Sequence, residues 1–339
     1  MMFVLLWRNN AVIYSRAFFP GYLLIGREHD VAKYVIVNAD DLGIARSTNL
    51  AIRRAFREGI VTSASLMANM AAFQHALDHV VYQNPGLGIG IHLCLTSGKP
   101  VLPPCQVPLL VDRKGYFCRG FLGLYRLVRS RHRYEAVAQI TAELNAQAEQ
   151  LDRCGIDVDH VDGHQHTHMI PEIFAICAQI ATARQAAIRI PDEHFRPSHR
   201  WPPRWLRCLL NGGLLKQATL HRLSQKARRE AIDLVHPDHY HGVLETGQIT
   251  TAILWEILRA LPDGVTEITC HPGLDGTLDR TVVCSLADRR FLASGNRAAE
   301  LAAVLDSSFC GDLLGVGITL ARFRDILPRH NAAPLRKAA

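Results

Sequence analysis

The sequence has no C-x-x-C pair, no apolar run approaching the roughly 18 residues of a membrane helix, and few aromatic residues, 7% of the total. Its nine cysteines are odd in number and widely spaced. That argues against a disulfide framework or a cysteine zinc site and fits a reducing cytoplasm. No P-loop, zinc-finger or RNP motif accompanies the excess of 38 Lys plus Arg over 31 Asp plus Glu, so the net charge of +7 does not by itself mark a nucleic-acid binder. There is no Pro/Gly/Ser-rich linker and no internal repeat. With 48% hydrophobic and 20% charged residues over 339 positions, the chain is neither disordered, collagenous nor a coiled coil.

Residues 1–32 read as an extension. Their apolar runs are broken by Arg8, Asn9, Asn10, Arg16 and Pro20, and no small-residue cleavage site follows a clean apolar stretch. A weak interfacial anchor is one reading of this segment; a non-essential extension is the plainer one. Residues 33–327 carry the pattern of one domain, and 328–339 form a tail.

Within that domain, short apolar runs alternate with amphipathic stretches. Strands are expected at Tyr34–Val37, Thr62–Met67, Gly88–Leu95, Asp157–Val161, Ala187–Ile190, Thr266–Cys270 and Leu314–Ile318. Helices are expected from a Ser47 or Thr48 cap to Glu58, at Ala71–Tyr82, Glu135–Arg153 and Pro171–Arg184, over 204–228 and 248–260, and at Arg297–Leu305. Val137, Ile140, Leu144, Ala148 and Leu151 recur at helical spacing in the clearest of these. Repeated strand–helix units predict an α/β fold, a single irregular (β/α) barrel of about seven parallel strands, closed or nearly so. In such folds chemistry sits at the C-terminal ends of strands.

What the chain has in abundance is histidine, 17 residues, and the informative ones follow strands. Asp40-Asp41 follows the first strand, His92 lies near the end of the third, and Arg189 and His271 each end a strand. Adjacent carboxylates can divide work, one holding a cation and one serving as base; they also commonly cap helices and turns. From His160 through Asp162, His164 and His166 to His168, a ligand type falls on every second residue. An extended chain would put all five on one face. So many imidazoles would repel one another if protonated, and metal binding resolves this by requiring the neutral form. A catalytic site uses three protein ligands and keeps one position open, so the remainder would orient ligands or touch substrate. Arg189 at a strand end suits orienting a carboxylate or binding a substrate oxygen.

The segments VIVNADDLG (Val35–Gly43), GIVTSASLMANM (Gly59–Met70), LGIGIHLCLTSGKPV (Leu87–Val101), DHVDGHQHTHMIP (Asp159–Pro171) and EITCHPG (Glu267–Gly273) together resemble the YdjC-like carbohydrate deacetylase family. The resemblance spans about residues 33–326. It implies a polysaccharide-deacetylase-like barrel and hydrolysis of an N-acetyl group on an amino sugar with one divalent metal ion. By the same resemblance Asp41, His92 and His164 would bind the metal, Asp40 would activate water, and His271 would be the acid. His166, His168, Asp162 and Arg189 would orient ligands or contact substrate. Ligand softness favours Zn for two imidazoles, whereas Mg is often assigned in this family. Gly163-His164-Gln165-His166 departs from the family's frequent Ser-His-His-His and removes one potential ligand.

Some relatives are associated with hopanoid lipids. A lipid-linked substrate would bring a cytoplasmic enzyme to the inner membrane surface, and the Trp/Arg-rich stretch from Trp201 to Arg229 would suit such contact or serve as an exposed basic helix. A homodimer is left open. A metal phosphoesterase or another amidohydrolase would use the same ligand types, and a nucleic-acid binder would use only the charge.

Overall fold

The computed structural model describes residues 32–194, 213–274, 285–309, 313 and 315–328. Residues 1–31 lie outside the described residues. So do Trp201, Arg204, Arg207 and the tail from 329.

Strand β1 (Lys33–Leu42) is buried from Val35 onward, apolar over Val35–Val37 as suits a strand covered on both faces, with polar Asn38, Asp40 and Asp41 buried toward its C-terminal end. It is followed by α1 (Arg46–Glu58), β2 (Ser63–Leu66) and a short α2 (Phe73–Ala76) that continues into one π-turn, Leu77–Val81. Next come β3 (Gly88–Leu93), α3 (Phe121–Leu127), α4 (Arg133–Arg153), β4 (His160–Gly163), α5 (Pro171–Ala183) and β5 (Ala187–Ile188). The remainder is α6 (Gly213–Glu230), β6 (His239–His241), α7 (Thr251–Arg259), β7 (Gly264–Cys270), α8 (Leu286–Leu292), α9 (Asn296–Val304), β8 (Ile318–Leu320) and α10 (Phe323–Ile326).

Every strand pair is parallel, in the order β5-β4-β3-β2-β1-β7-β6 with β8 beside β1. Strand β1 changes neighbour along one edge: Lys33–Val35 pair with β8 and Asn38–Leu42 with β2, while Lys33–Ala39 pair with β7 on the other edge. The α/β fold and its parallel, curled sheet are as the sequence predicts. Among the described residues there are eight strands, and no named pair joins β5 to β6, so the sheet stays open there.

Several boundaries differ from expectation for local reasons. Ser47 and Thr48 lie inside α1, whose N-cap Ala45 makes no side-chain cap bond. The fourth strand starts at His160, three residues later than Asp157. The tripeptide β6 and the helix α8 were not anticipated, because three residues with two histidines carry no apolar run. Among the described residues no helix is long and apolar enough to cross a membrane.

Candidate functional site

All strands point the same way, so their C-terminal ends share one rim. Side chains from five of them converge there. The pairing of β1 with β2 slips between Ala39 and Leu42, a bulge that turns the strand end, and Asp41 takes φ 68°. This left-handed value is strained for a residue with a side chain, and it stops Asp40 and Asp41 from simply alternating across the sheet. Gly43 follows at φ 96°, and its N–H donates to Asn49 Oδ1 at 2.7 Å.

His92 on β3 sits in register with Asp162 on β4, and their Nδ1 and Oδ1 atoms are 2.7 Å apart. Nδ1–H donating to that carboxylate leaves His92 Nε2 as a lone pair. His164 follows β4 directly; its Nε2 lies 3.1 Å from Asp288 Oδ1, leaving Nδ1 as the lone pair. The two free nitrogens are 3.3 Å apart. Asp41 Oδ1 lies 3.1 Å from His164 Nδ1 and 3.7 Å from His92 Nε2, yet it is buried with no directed hydrogen bond. Its other oxygen accepts from Arg297 Nη1 at 2.9 Å. Asp41, His92 and His164 thus offer three ligand atoms within 4.8 Å of one another.

This set suits a divalent cation. Each imidazole is oriented by an outer carboxylate, as metal-binding histidines usually are. The Asp41 carboxyl is pushed up by burial, but the His164 ring, Arg297 and His271 hold it well below the usual range. Burial alone would lower both rings. For His92, Asp162 and Asp40 more than reverse this; for His164, Asp288 and Asp41 do. The field at this point favours a positive charge.

Beside the triad lies a second constellation. Arg189 is fully buried and grips Asp40 through two parallel bonds, Nη1 to Oδ2 and Nη2 to Oδ1, each 2.8 Å. It also donates Nε to Glu267 Oε1 at 2.7 Å and lies 2.7 Å from Asp162 Oδ2. Asp40 Oδ1 accepts a further bond from Asn38 Nδ2 at 2.8 Å, whereas Oδ2 faces His271 Nε2 at 4.0 Å. The His271 ring stands edge-on to Phe291, its backbone N–H donates to Glu300 Oε2 at 2.6 Å, and burial lowers its pKa to about 4.

The alternating His/Asp segment is not one extended face. The chain is a strand only to Gly163 and then turns, with Gln165 and His166 both at φ 54°. The five side chains part company. His160 is buried away from the triad, bonded to Asp159 and Ser65 and stacked 3.9 Å from Phe323. Gly90 makes room for it, since a Cβ there would meet the ring at 2.2 Å. His166 is buried edge-on to Tyr240 with Nδ1 unpartnered. His168 Nε2 donates to the Arg189 carbonyl at 3.2 Å.

Sequence reasoning missed Asp288, Arg297, Glu267 and Glu300. The signal for two of them was present: Arg297 and Glu300 are the only charges in the alanine-rich helix NRAAELAAV and lie one turn apart. Asp288 reads locally as a partner of the Ser285 cap, and nothing local ties it to His164. His241 is buried against Glu193. A separate Asp192, His194 and His221 group also meets the spacing for a metal, but Asp192 already accepts from Gln225 and faces Arg228 at 3.6 Å.

The fold and site are those of an α/β enzyme that gathers carboxylates and imidazoles at parallel strand ends. Residues 34–313 match the family described as YdjC-like protein, and the chain belongs to that family. It is 31% identical over 299 residues to a carbohydrate deacetylase of Geobacillus stearothermophilus, covering 86% of this chain and 98% of that one. It is 35% identical over 161 residues to a chitooligosaccharide deacetylase of Proteus mirabilis, covering 47% and 60%. A solved structure from Enterococcus faecalis V583, described as a candidate cellobiose-phosphate cleavage protein, shares the fold with a TM-score of 0.65 at 23% identity, over 88% of this chain and all of that one.

Proposed function

We propose that residues 33–327 form a metal-dependent carbohydrate deacetylase that releases acetate from an N-acetylated amino sugar, with 1–32 and 328–339 outside the catalytic domain. The deacetylase names of the relatives support the reaction class. The observation that carries the metal reading is the Asp41, His92 and His164 group, whose free atoms face one another beside an arginine-clamped carboxylate. These three residues would hold the ion. Two imidazoles favour Zn over Mg, although both stay within the proposal. The chemistry a divalent ion supplies when bound there is polarisation of an acetyl carbonyl and acidification of a water toward a pKa of about 7.

The protein's own groups supply the rest. Arg189 holds Asp40 in place through two bonds, and Oδ2 retains a lone pair for the proton of the attacking water. His271 is neutral at rest because burial disfavours its charged form. Negative charge developing on the acetyl oxygen raises the proton affinity of His271 as reaction proceeds. It would take up the water-derived proton from Asp40, whose Oδ2 faces its Nε2 at 4.0 Å, and pass it to the leaving nitrogen, which is too basic to depart unprotonated. Asp162 holds His92, while His166 against Tyr240 and His168 against the Arg189 carbonyl would orient neighbouring groups or contact substrate.

The test is acetate release, with and without chelator, on free, chitin-derived and lipid-linked N-acetylglucosamines. Asp40→Asn is expected to lower turnover by a factor of roughly 10²–10⁴ with the metal retained. Asp41→Asn is expected to lose the metal. Metal loss in Asp40→Asn would show the two roles to be exchanged, and hydrolysis of a chromogenic phosphate without acetate release would replace the deacetylase reading with a phosphoesterase.

A further inference from the structure

We propose that α3 and the first turn of α4 form a docking surface for an anionic phospholipid bilayer. Between residues 113 and 134 the chain carries seven Lys or Arg and no Asp or Glu. This concentration is separate from the basic stretch beyond residue 200 and was not singled out by the motifs.

The charges come with exposed apolar groups. In α3, Leu124 and Leu127 are buried, whereas Leu122 is 64% exposed. Leu122, Tyr125 and Arg126 fall at i, i+3 and i+4 on one outward face of α3, and exposed Arg129 follows in the turn after it. The Arg129 guanidinium lies 3.6 Å over the Tyr125 ring, and that of Arg133 lies 4.4 Å over Tyr134, which is 76% exposed. Stacked Arg and Tyr with a protruding Leu is the mixture that suits a headgroup layer over hydrocarbon. Among the described residues Arg126, Arg131 and Arg133 have no carboxylate partner, whereas Arg129 pairs with Glu172 at 3.0 Å.

A surface groove of about 420 Å³ runs between these groups, lined by Val128, Arg129, Arg133, Tyr134, Val137 and Glu172. Its two guanidinium groups suit a lipid phosphate and its two valines the first carbons beside it. A nucleic acid would use the arginines but gains nothing from Leu122. Helix α3 packs on the turn that carries His164 to His168, so a bilayer seated here lies beside the rim of the candidate site. The surface would serve an amino sugar presented from a membrane.

The experiment is sedimentation of the full chain with phosphatidylcholine vesicles, with and without phosphatidylglycerol. The wild type is expected to bind only the anionic vesicles and to be released by salt. Each arginine near such a surface contributes about fivefold, so Arg126→Ala/Arg131→Ala/Arg133→Ala is expected to bind roughly a hundredfold more weakly. Leu122→Ser/Tyr134→Ser is expected to weaken binding without changing its salt dependence. Both variants should keep the wild-type Tm and acetate release from a free N-acetylated sugar, which separates this proposal from the reaction itself. No binding to anionic vesicles overturns it. So does a triple variant that binds as well as wild type, which would move the contact elsewhere, or displacement of vesicles by duplex DNA, which would make the patch a nucleic-acid surface.

Discussion

Asp288 reaches His164 across 124 positions of the chain, and Arg297 reaches Asp41 across 256. Two of the three candidate ligands are therefore oriented by side chains from the last helices. Asp288→Ala is expected to weaken metal affinity about 10–100-fold, read by titration of the metal-free protein, with secondary structure unchanged. Single residues also set the acid response. Burial lowers the pKa of His168 to about 4, and its unfolded value is near 6.5. Between those values the unfolded chain binds the extra proton, so stability falls as pH drops from 6.5 toward 4 and is fully present above 6.5. Urea unfolding at pH 7 and pH 5 should show the wild type losing about 2 kcal/mol more than His168→Asn. That Asp40, Asp41, His92, His164, Arg189 and His271 would share one rim was legible from their places at strand ends. Their partners were not, because a single Asp or Arg in a helix has no local signature of what it meets.

At the scale of elements, α4 shows how much a pattern can hide. Its apolar stripe was readable, but so is a second stripe at Gln139, Glu143 and Gln147, spaced one turn apart. These are buried and hold the irregular chain after β3. Gln139 accepts from Leu109 N, both Glu143 oxygens accept from Val101 N and Leu102 N, and Gln147 binds Cys94 through N and O. Glu143→Ala leaves two backbone donors unsatisfied and is expected to cost about 3 kcal/mol in denaturant unfolding, with Glu143→Gln milder because one acceptor remains. The segment after Gly163 gives the opposite lesson. Its two-residue period looks like a strand, yet left-handed Gln165 and His166 turn it, and tertiary partners outweigh the local pattern. That turn carries His164 to Asp41 and His92 and sends His166 toward Tyr240.

At the scale of the molecule, the site gathers its candidate ligands from β1, β3 and the turn after β4, so an ion bound there would tie together segments far apart in the chain. A ligand that binds only the folded state stabilises it by about 3 kcal/mol at 100 times its Kd. Chelation is therefore expected to abolish acetate release and to lower Tm by several degrees, and added Zn or Mg to restore both. Unchanged Tm and turnover after verified metal removal would count against the metal reading. The alternation of apolar runs and amphipathic helices determined a parallel α/β sheet, because strands covered on both faces must be apolar and each needs a crossover helix. It also determined that the Asp and His residues lie on one rim, since parallel strands end on the same side. Only the tertiary structure decided which histidines meet Asp41, which oxygen of each carboxylate is free, and that Arg189 clamps Asp40. Those outcomes depend on a bulge, three left-handed residues and helices from the other end of the chain, and on distances of a few ångströms that no local pattern encodes.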